Sequence, residues 1–132
     1  MFLDASAIVA MIAEEQDHEA LSAAVARSAV RITSALAAWE AVVALARVRA
    51  PLPLSEARTV VQRYLAAAEV EIISIGLAEH EAALDAFERF GKGRHPAKLN
   101  MGDCFSYACA KTHGAPLLFK GDDFGKTDIP AA

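Results

Sequence analysis

Cysteine is scarce in this sequence of 132 residues: Cys104 and Cys109 are the only two. They lie in a stretch of helical character, where five positions of separation set them about 140° apart around the axis, too far round to bridge easily. A scaffold stapled by disulfides is therefore excluded, and free thiols suit a reducing cytoplasm, which is the expected location. Long apolar runs are also lacking. The stretch after the opening MFLD is far shorter than the ~20 residues that span a bilayer, and no basic segment precedes it as in a secretory signal, so no membrane association is expected. Aromatic residues make up only 7% of the chain, which points to closely packed helices instead of a bulky β-core.

Positive charge is not in excess. With 13 basic and 17 acidic residues the net charge is −4, which argues against a protein that grips nucleic acid by bulk charge. A nuclease is not excluded, because acids gathered in one pocket can be balanced by divalent metal. Glycine-rich phosphate loops are absent as well: DASAIVA, after the first apolar residues, holds neither GxxxxGKS nor GxGxxG. A phosphoaspartyl hydrolase would need a second acid two positions after the first, where this chain has Ser6.

A chain of this length can bury roughly two-thirds of its unfolded surface, enough for a single domain over residues 1–132. Short apolar segments at 1–3, 30–33, 71–75 and 117–120 read as strands. Between them the helical periodicity predicts helices over 6–15, 17–28, 35–49, 55–68, 77–90 and 103–113. Ser34 is placed to cap the third helix and Pro51 with Pro53 to break it, while Ser6 is placed to cap the first. The apolar face of the third helix is expected to include Leu36, Val43 and Val48. Strands alternating with helices indicate an α/β fold with a short, mostly parallel central sheet flanked by helices on both faces. In such sheets ligands sit beyond the carboxyl ends of the strands, where Asp4 and Asp122 stand.

Four acidic positions draw attention. Asp4 follows the first strand and could simply cap a helix, and Asp103 opens the sixth helix and could simply complement its dipole. Glu40 is the single carboxylate in LAAWEAVVAL; burying it unpaired would cost several kcal/mol, so it implies a partner or a narrow solvent-facing stripe shared with Arg47. LLFKGDDF ends an apolar run in two aspartates. Gly121 would permit a sharp turn, sending Asp122 toward the strand end and leaving Asp123 to cap the next turn. Three or four such carboxylates suit a hard cation, Mg²⁺ or Mn²⁺, and phosphodiester hydrolysis. The basic loop GKGRHPAK offers Lys92, Arg94, His95 and Lys98 either to phosphate or to solvent. His18, His80 and His113 read as structural.

FLDASAIVA, SALAAWEAVVAL and LNMGDCFSYACAKTHGAPLLFKGDDFGKTDI, taken in order, resemble the PIN-domain ribonucleases and most closely the VapC toxins of bacterial toxin–antitoxin pairs. The resemblance implies an Mg²⁺- or Mn²⁺-dependent endoribonuclease that leaves a 3′-hydroxyl and a 5′-phosphate. It implies that Asp4, Glu40 and Asp103 are metal-site acids, that Ser6 supports the first, and that the fourth acid falls in GDDF, as Asp122 or, less favoured, Asp123. With an RNA substrate, the local charge of the basic loop, and not the resemblance, makes Arg94 and Lys98 the expected RNA contacts. The implied partners are RNA, a VapB-like antitoxin and a second copy of the chain. The contrasting expectation is a non-catalytic α/β oligomerisation or regulatory module whose acids are surface groups.

Overall fold

The computed structural model describes residues 1–48 and 52–132; the break expected at Pro51 lies outside the described residues. The order of elements is β1 (Phe2–Leu3), α1 (Ala5–Ile12), α2 (His18–Arg27), β2 (Ile32–Ser34), α3 (Ala35–Val48), α4 (Leu54–Ala67), β3 (Glu71–Ile73), α5 (Leu77–Phe90), α6 (Met101–Thr112) and β4 (Leu117–Leu118), followed by a 3₁₀ turn at Phe124–Lys126. The α/β class expected from the sequence is what the chain adopts.

The four strands run in the order β3-β2-β1-β4, and every pairing is parallel. From β1 the chain steps outward through β2 to β3, then crosses back to place β4 on the other side of β1. Crossovers of one hand that step in opposite directions must leave their helices on opposite faces. The core divides accordingly. Leu3 and Leu118 pack with α1, α2, α3 and α4, whereas Phe2 and Leu117, each one residue away, face α5 and α6. The reversal of direction falls between β1 and β4, so the crevice at the carboxyl ends of these two strands is the place where such a sheet receives a ligand.

Several local expectations shift. Asp4, and not Ser6, caps α1: its extended backbone lets its carboxylate accept the Ser6 N–H. Ser34 does cap α3, its hydroxyl oxygen accepting the Ala37 N–H at 3.1 Å. The buried stripe of α3 is Ala37, Ala41 and Leu45, spaced by four, so Val48 is left exposed and Leu36 and Val43 are only partly covered. Small residues let α3 lie close to its neighbours, and the larger ones stay outside. α6 begins two residues before Asp103, which therefore sits in its first turn. β4 ends at Leu118, so Phe119 and Lys120 already belong to the exit from the sheet. Cys104 and Cys109 are free and buried. Among the described residues no helix is long and apolar enough to cross a membrane.

Candidate active site

β1 is only two residues long, so the peptide that leaves it places Asp4 directly in the crevice, 4% exposed. Its N–H is held by the Leu118 carbonyl of β4 at 2.9 Å. Its Oδ2 accepts two bonds from Ser6, from the N–H at 2.9 Å and from the hydroxyl at 2.5 Å. The Ser6 oxygen in turn accepts the Lys120 N–H at 3.0 Å. One hydroxyl thus ties the first acid to the exit of β4, while Oδ1 of Asp4 takes part in none of these bonds.

Glu40 reaches the same crevice from α3. It lies against Gly102 of α6 so closely that a Cβ at that position would fall on the carboxylate. Glycine here leaves room for the Glu40 carboxylate, which any side chain at 102 would push out of this place. Asp103 comes from the next position of α6, where it closes a capping box: its Oδ2 accepts the Asn100 N–H at 2.8 Å and Asn100 Oδ1 accepts the Asp103 N–H at 3.0 Å. Asp103 thus has a structural role at the helix start, and this leaves one carboxylate oxygen outside the capping box.

The three acids feel one another. Burial, then the charges of Asp4 and Asp103, pushes the Glu40 carboxyl up to about 7. Burial also pushes Asp103 up to about 6; its bond from Asn100 opposes the rise, and the charges of Asp4 and Asp123 add to it. Among the described residues no lysine or arginine forms an ion pair with Asp4, Glu40 or Asp103. Unrelieved like charges at partly buried positions are costly, and a cation is what would offset them. The donor set is all oxygen, as a hard divalent ion prefers. No three acidic, histidine or cysteine groups among the described residues are gathered tightly enough to grip one ion together. That still fits Mg²⁺, which usually takes only one or two carboxylates and keeps several waters.

In the aspartate pair the expected turn forms but the expected Asp123 cap does not. Gly121 has φ +107°, the left-handed region that favours glycine, so the sharp turn is present. Beyond it Asp123, not Asp122, is the residue whose charge reaches Asp103, and Asp123 makes no side-chain cap to the 3₁₀ turn that it precedes. Both aspartates are exposed, and neither lines the open depression of about 340 Å³ around the other acids. That depression is lined by Asp4, Ser6, Glu40 and Asp103 together with Glu15, Asn100 and Lys120. The last three escaped the sequence reading. Asn100 was legible as an N-cap three residues before an acid, but the Lys120–Glu15 ion pair joins positions far apart in the chain.

The basic loop leads into this site through Asn100. Lys92, Arg94 and Lys98 are exposed, with the Arg94 guanidinium 5.6 Å from the Phe87 ring centre. His95 is structural: it packs edge-on against Phe90 at 5.3 Å, and its Nδ1 accepts the Ala97 N–H at 3.1 Å. His18 at the start of α2 donates from Nδ1 to the Glu15 carbonyl, and His113 just past the end of α6 donates from Nδ1 to the Cys109 carbonyl. Arg47 is exposed in the last turn of α3 and shares no ion pair with Glu40 among the described residues.

A family model described as the PIN domain matches residues 1–130. The chain belongs to the PIN-domain family. Among its relatives are the VapC ribonuclease Mb0640 of Mycobacterium bovis, 42% identical over 130 residues, with 98% of this chain and 95% of that protein covered. Ribonuclease VapC of Mycolicibacterium smegmatis is 42% identical over 132 residues, covering 99% and 98%. In fold this PIN domain is similar to VapC20 of Mycobacterium tuberculosis, described as a toxin that cleaves the sarcin–ricin loop, with a TM-score of 0.78, 17% identity, and 99% and 97% of the two chains covered.

Proposed function

We propose that this PIN domain is a VapC-type toxin, an endoribonuclease that hydrolyses RNA phosphodiester bonds with Mg²⁺ or Mn²⁺ bound in the depression lined by Asp4, Glu40 and Asp103, one or two of these carboxylates as direct ligands and the rest acting through its waters, with Asp123 as the fourth acid. The observation that carries the reading is the convergence of three carboxylates from the end of β1, α3 and α6 on one depression, two of them with raised pKa and none ion-paired among the described residues. A divalent ion bound there would supply the charge that neutralises this cluster and the Lewis acidity for water activation and for charge growing on the phosphate.

The chain's own residues prepare that chemistry. Ser6 fixes Asp4 by occupying its Oδ2 with two hydrogen bonds. Asn100 likewise occupies Oδ2 of Asp103. Gly102 lets Glu40 approach from the third side. Preorganised acids need little rearrangement when the ion and substrate arrive, which is where such sites gain rate. Arg94 and Lys98, exposed on the loop that delivers Asn100, serve as phosphate contacts for RNA. A VapB-like antitoxin and a second copy of this chain are the protein partners in this reading, and the cytoplasm is its place of action.

Asp103→Asn is the direct test. The amide keeps an oxygen that can accept the Asn100 N–H, so the helix start survives while the charge is lost. The expected outcome is a folded protein, by circular dichroism and melting, with RNA cleavage and growth inhibition abolished. Wild-type cleavage by a folded Asp103→Asn protein would sink the metal-site reading.

A further inference from the structure

Among the described residues Lys120 is the one cation that lines the acidic depression, and its ion pair is with Glu15 and not with Asp4, Glu40 or Asp103. Its ammonium does not figure among the influences on the raised carboxyls of Glu40 and Asp103. The lysine is fixed at both ends. At the backbone its N–H donates to the Ser6 hydroxyl that also holds Asp4. At its tip Glu15 holds the ammonium, and Glu15 is itself anchored: its N–H donates to the Ala10 carbonyl at 3.0 Å, and its carbonyl receives the His18 N–H at 2.9 Å. Both side chains keep roughly a third of their surface in solvent, 32% for Lys120 and 31% for Glu15.

An ammonium carries three N–H donors, and Glu15 takes only one of them. The others have no partner among the described residues, at the wall of a site that must admit a polyanion past several carboxylates. A lysine meant only to neutralise those carboxylates would turn to them. This one is held aside, at a fixed place relative to Asp4.

We infer that Lys120 is the residue that seats an RNA phosphate beside the acidic cluster, and that Glu15 is a positioning residue that holds its ammonium in register. The inference rests on the nuclease reading above and adds to it the group that orients the substrate. Lys120 offers its free N–H groups to the non-bridging oxygens of a phosphate. Glu15 keeps the flexible stem from collapsing onto Asp4 or Glu40, which would both block the cation site and withdraw the ammonium from RNA.

The test compares Lys120→Met, Lys120→Arg and Glu15→Gln with the wild type. Steady-state cleavage of a single-stranded RNA is measured with Mg²⁺, and RNA binding is measured by fluorescence anisotropy across a salt series with Ca²⁺ replacing Mg²⁺. Loss of one hydrogen bond between charged groups should raise KM in Lys120→Met by roughly tenfold to a hundredfold. The logarithmic salt slope of binding should become shallower by about 0.7. Lys120→Arg, which keeps the charge and the donors, should recover most of the binding. Glu15→Gln removes a carboxylate from the path of the phosphate but loosens the ammonium, so KM should hold or fall while kcat drops severalfold.

Unchanged KM and salt slope in Lys120→Met would overturn the inference, as would losses that merely track a lowered melting temperature in all three variants. Should Lys120→Met not fold, failure of Lys120→Arg to bind with the wild-type salt slope, or an unsplit KM and kcat in Glu15→Gln, would overturn it equally. If wild-type protein does not cleave RNA, it is the nuclease reading that fails, and the binding series alone then decides the role of Lys120.

Discussion

Exchanging a carboxylate for its amide alters charge with little change of shape, which makes Asp→Asn the sharpest probe of the Asp122–Asp123 pair. Asp123 contributes to the raised carboxyl of Asp103, so Asp123→Asn should increase the Mg²⁺ needed for half-maximal cleavage, while Asp122→Asn should titrate nearly like wild type. Metal titration of RNA cleavage checks this, and the reverse order would return the fourth-acid role to Asp122. The neighbouring acids were legible because each broke a local pattern: Glu40 stood alone in an apolar stretch, and Asp4 ended a strand. The choice within the pair was not legible in the same way. It depends on the direction in which the chain leaves a glycine at φ +107°, a torsion that the letters GDDF permit without specifying. The Glu15–Lys120 pairing, across 105 residues, was still further from local reading.

At the level of elements, the two helices on the α5–α6 face are joined by one buried carboxylate. Glu79 sits in the first turn of α5; its Oε2 accepts the Gly76 N–H and its Oε1 the Thr112 hydroxyl at the far end of α6, each at 2.8 Å. These bonds favour the ionised form and hold its carboxyl below the usual range, the Gly76 N–H contributing most. A folded-state pKa below the unfolded one means that the unfolded chain binds the proton more readily. The stabilisation is therefore present above the ordinary glutamate range and is lost as pH falls through the lowered value. Glu79→Gln should cost on the order of 1 kcal/mol at neutral pH, typical of a lost cap, with the difference from wild type shrinking toward acid pH. Denaturant unfolding across pH checks this; a pH-independent difference would assign Glu79 to packing alone. Helices of this kind were legible from period and caps, within a few residues at their ends. The interior face of α3 was misjudged because hydrophobic size drew the eye to Leu36, Val43 and Val48, whereas close approach of helices selects Ala37, Ala41 and Leu45.

On the scale of the whole molecule, the strand order β3-β2-β1-β4 explains why acids from opposite ends of the sequence meet, since the reversal between β1 and β4 leaves a crevice that α3 and α6 both border. Parallel pairing followed from the alternation of strands and helices. Strand order did not, because it rests on which edge receives β4, a matter of how two buried faces pack. The fold holds these like charges together against their repulsion, so its stability should answer to whatever relieves them. Any ligand that binds only the folded state stabilises it by RT ln(1 + [L]/Kd), about 2.7 kcal/mol when its concentration is a hundred times Kd. For a domain of this size that is a rise of several degrees or more in Tm. Wild-type protein should therefore melt higher in Mg²⁺ or Mn²⁺ than in NaCl of equal ionic strength. Glu40→Gln removes one of the crowded charges without filling the space against Gly102, so it should raise the metal-free Tm and shrink the increment from metal while abolishing cleavage. Differential scanning calorimetry with and without the ion separates the two effects. A wild type indifferent to divalent metal, or a Glu40→Gln protein that keeps the full increment, would mean that Glu40 does not share the cation site with Asp4 and Asp103.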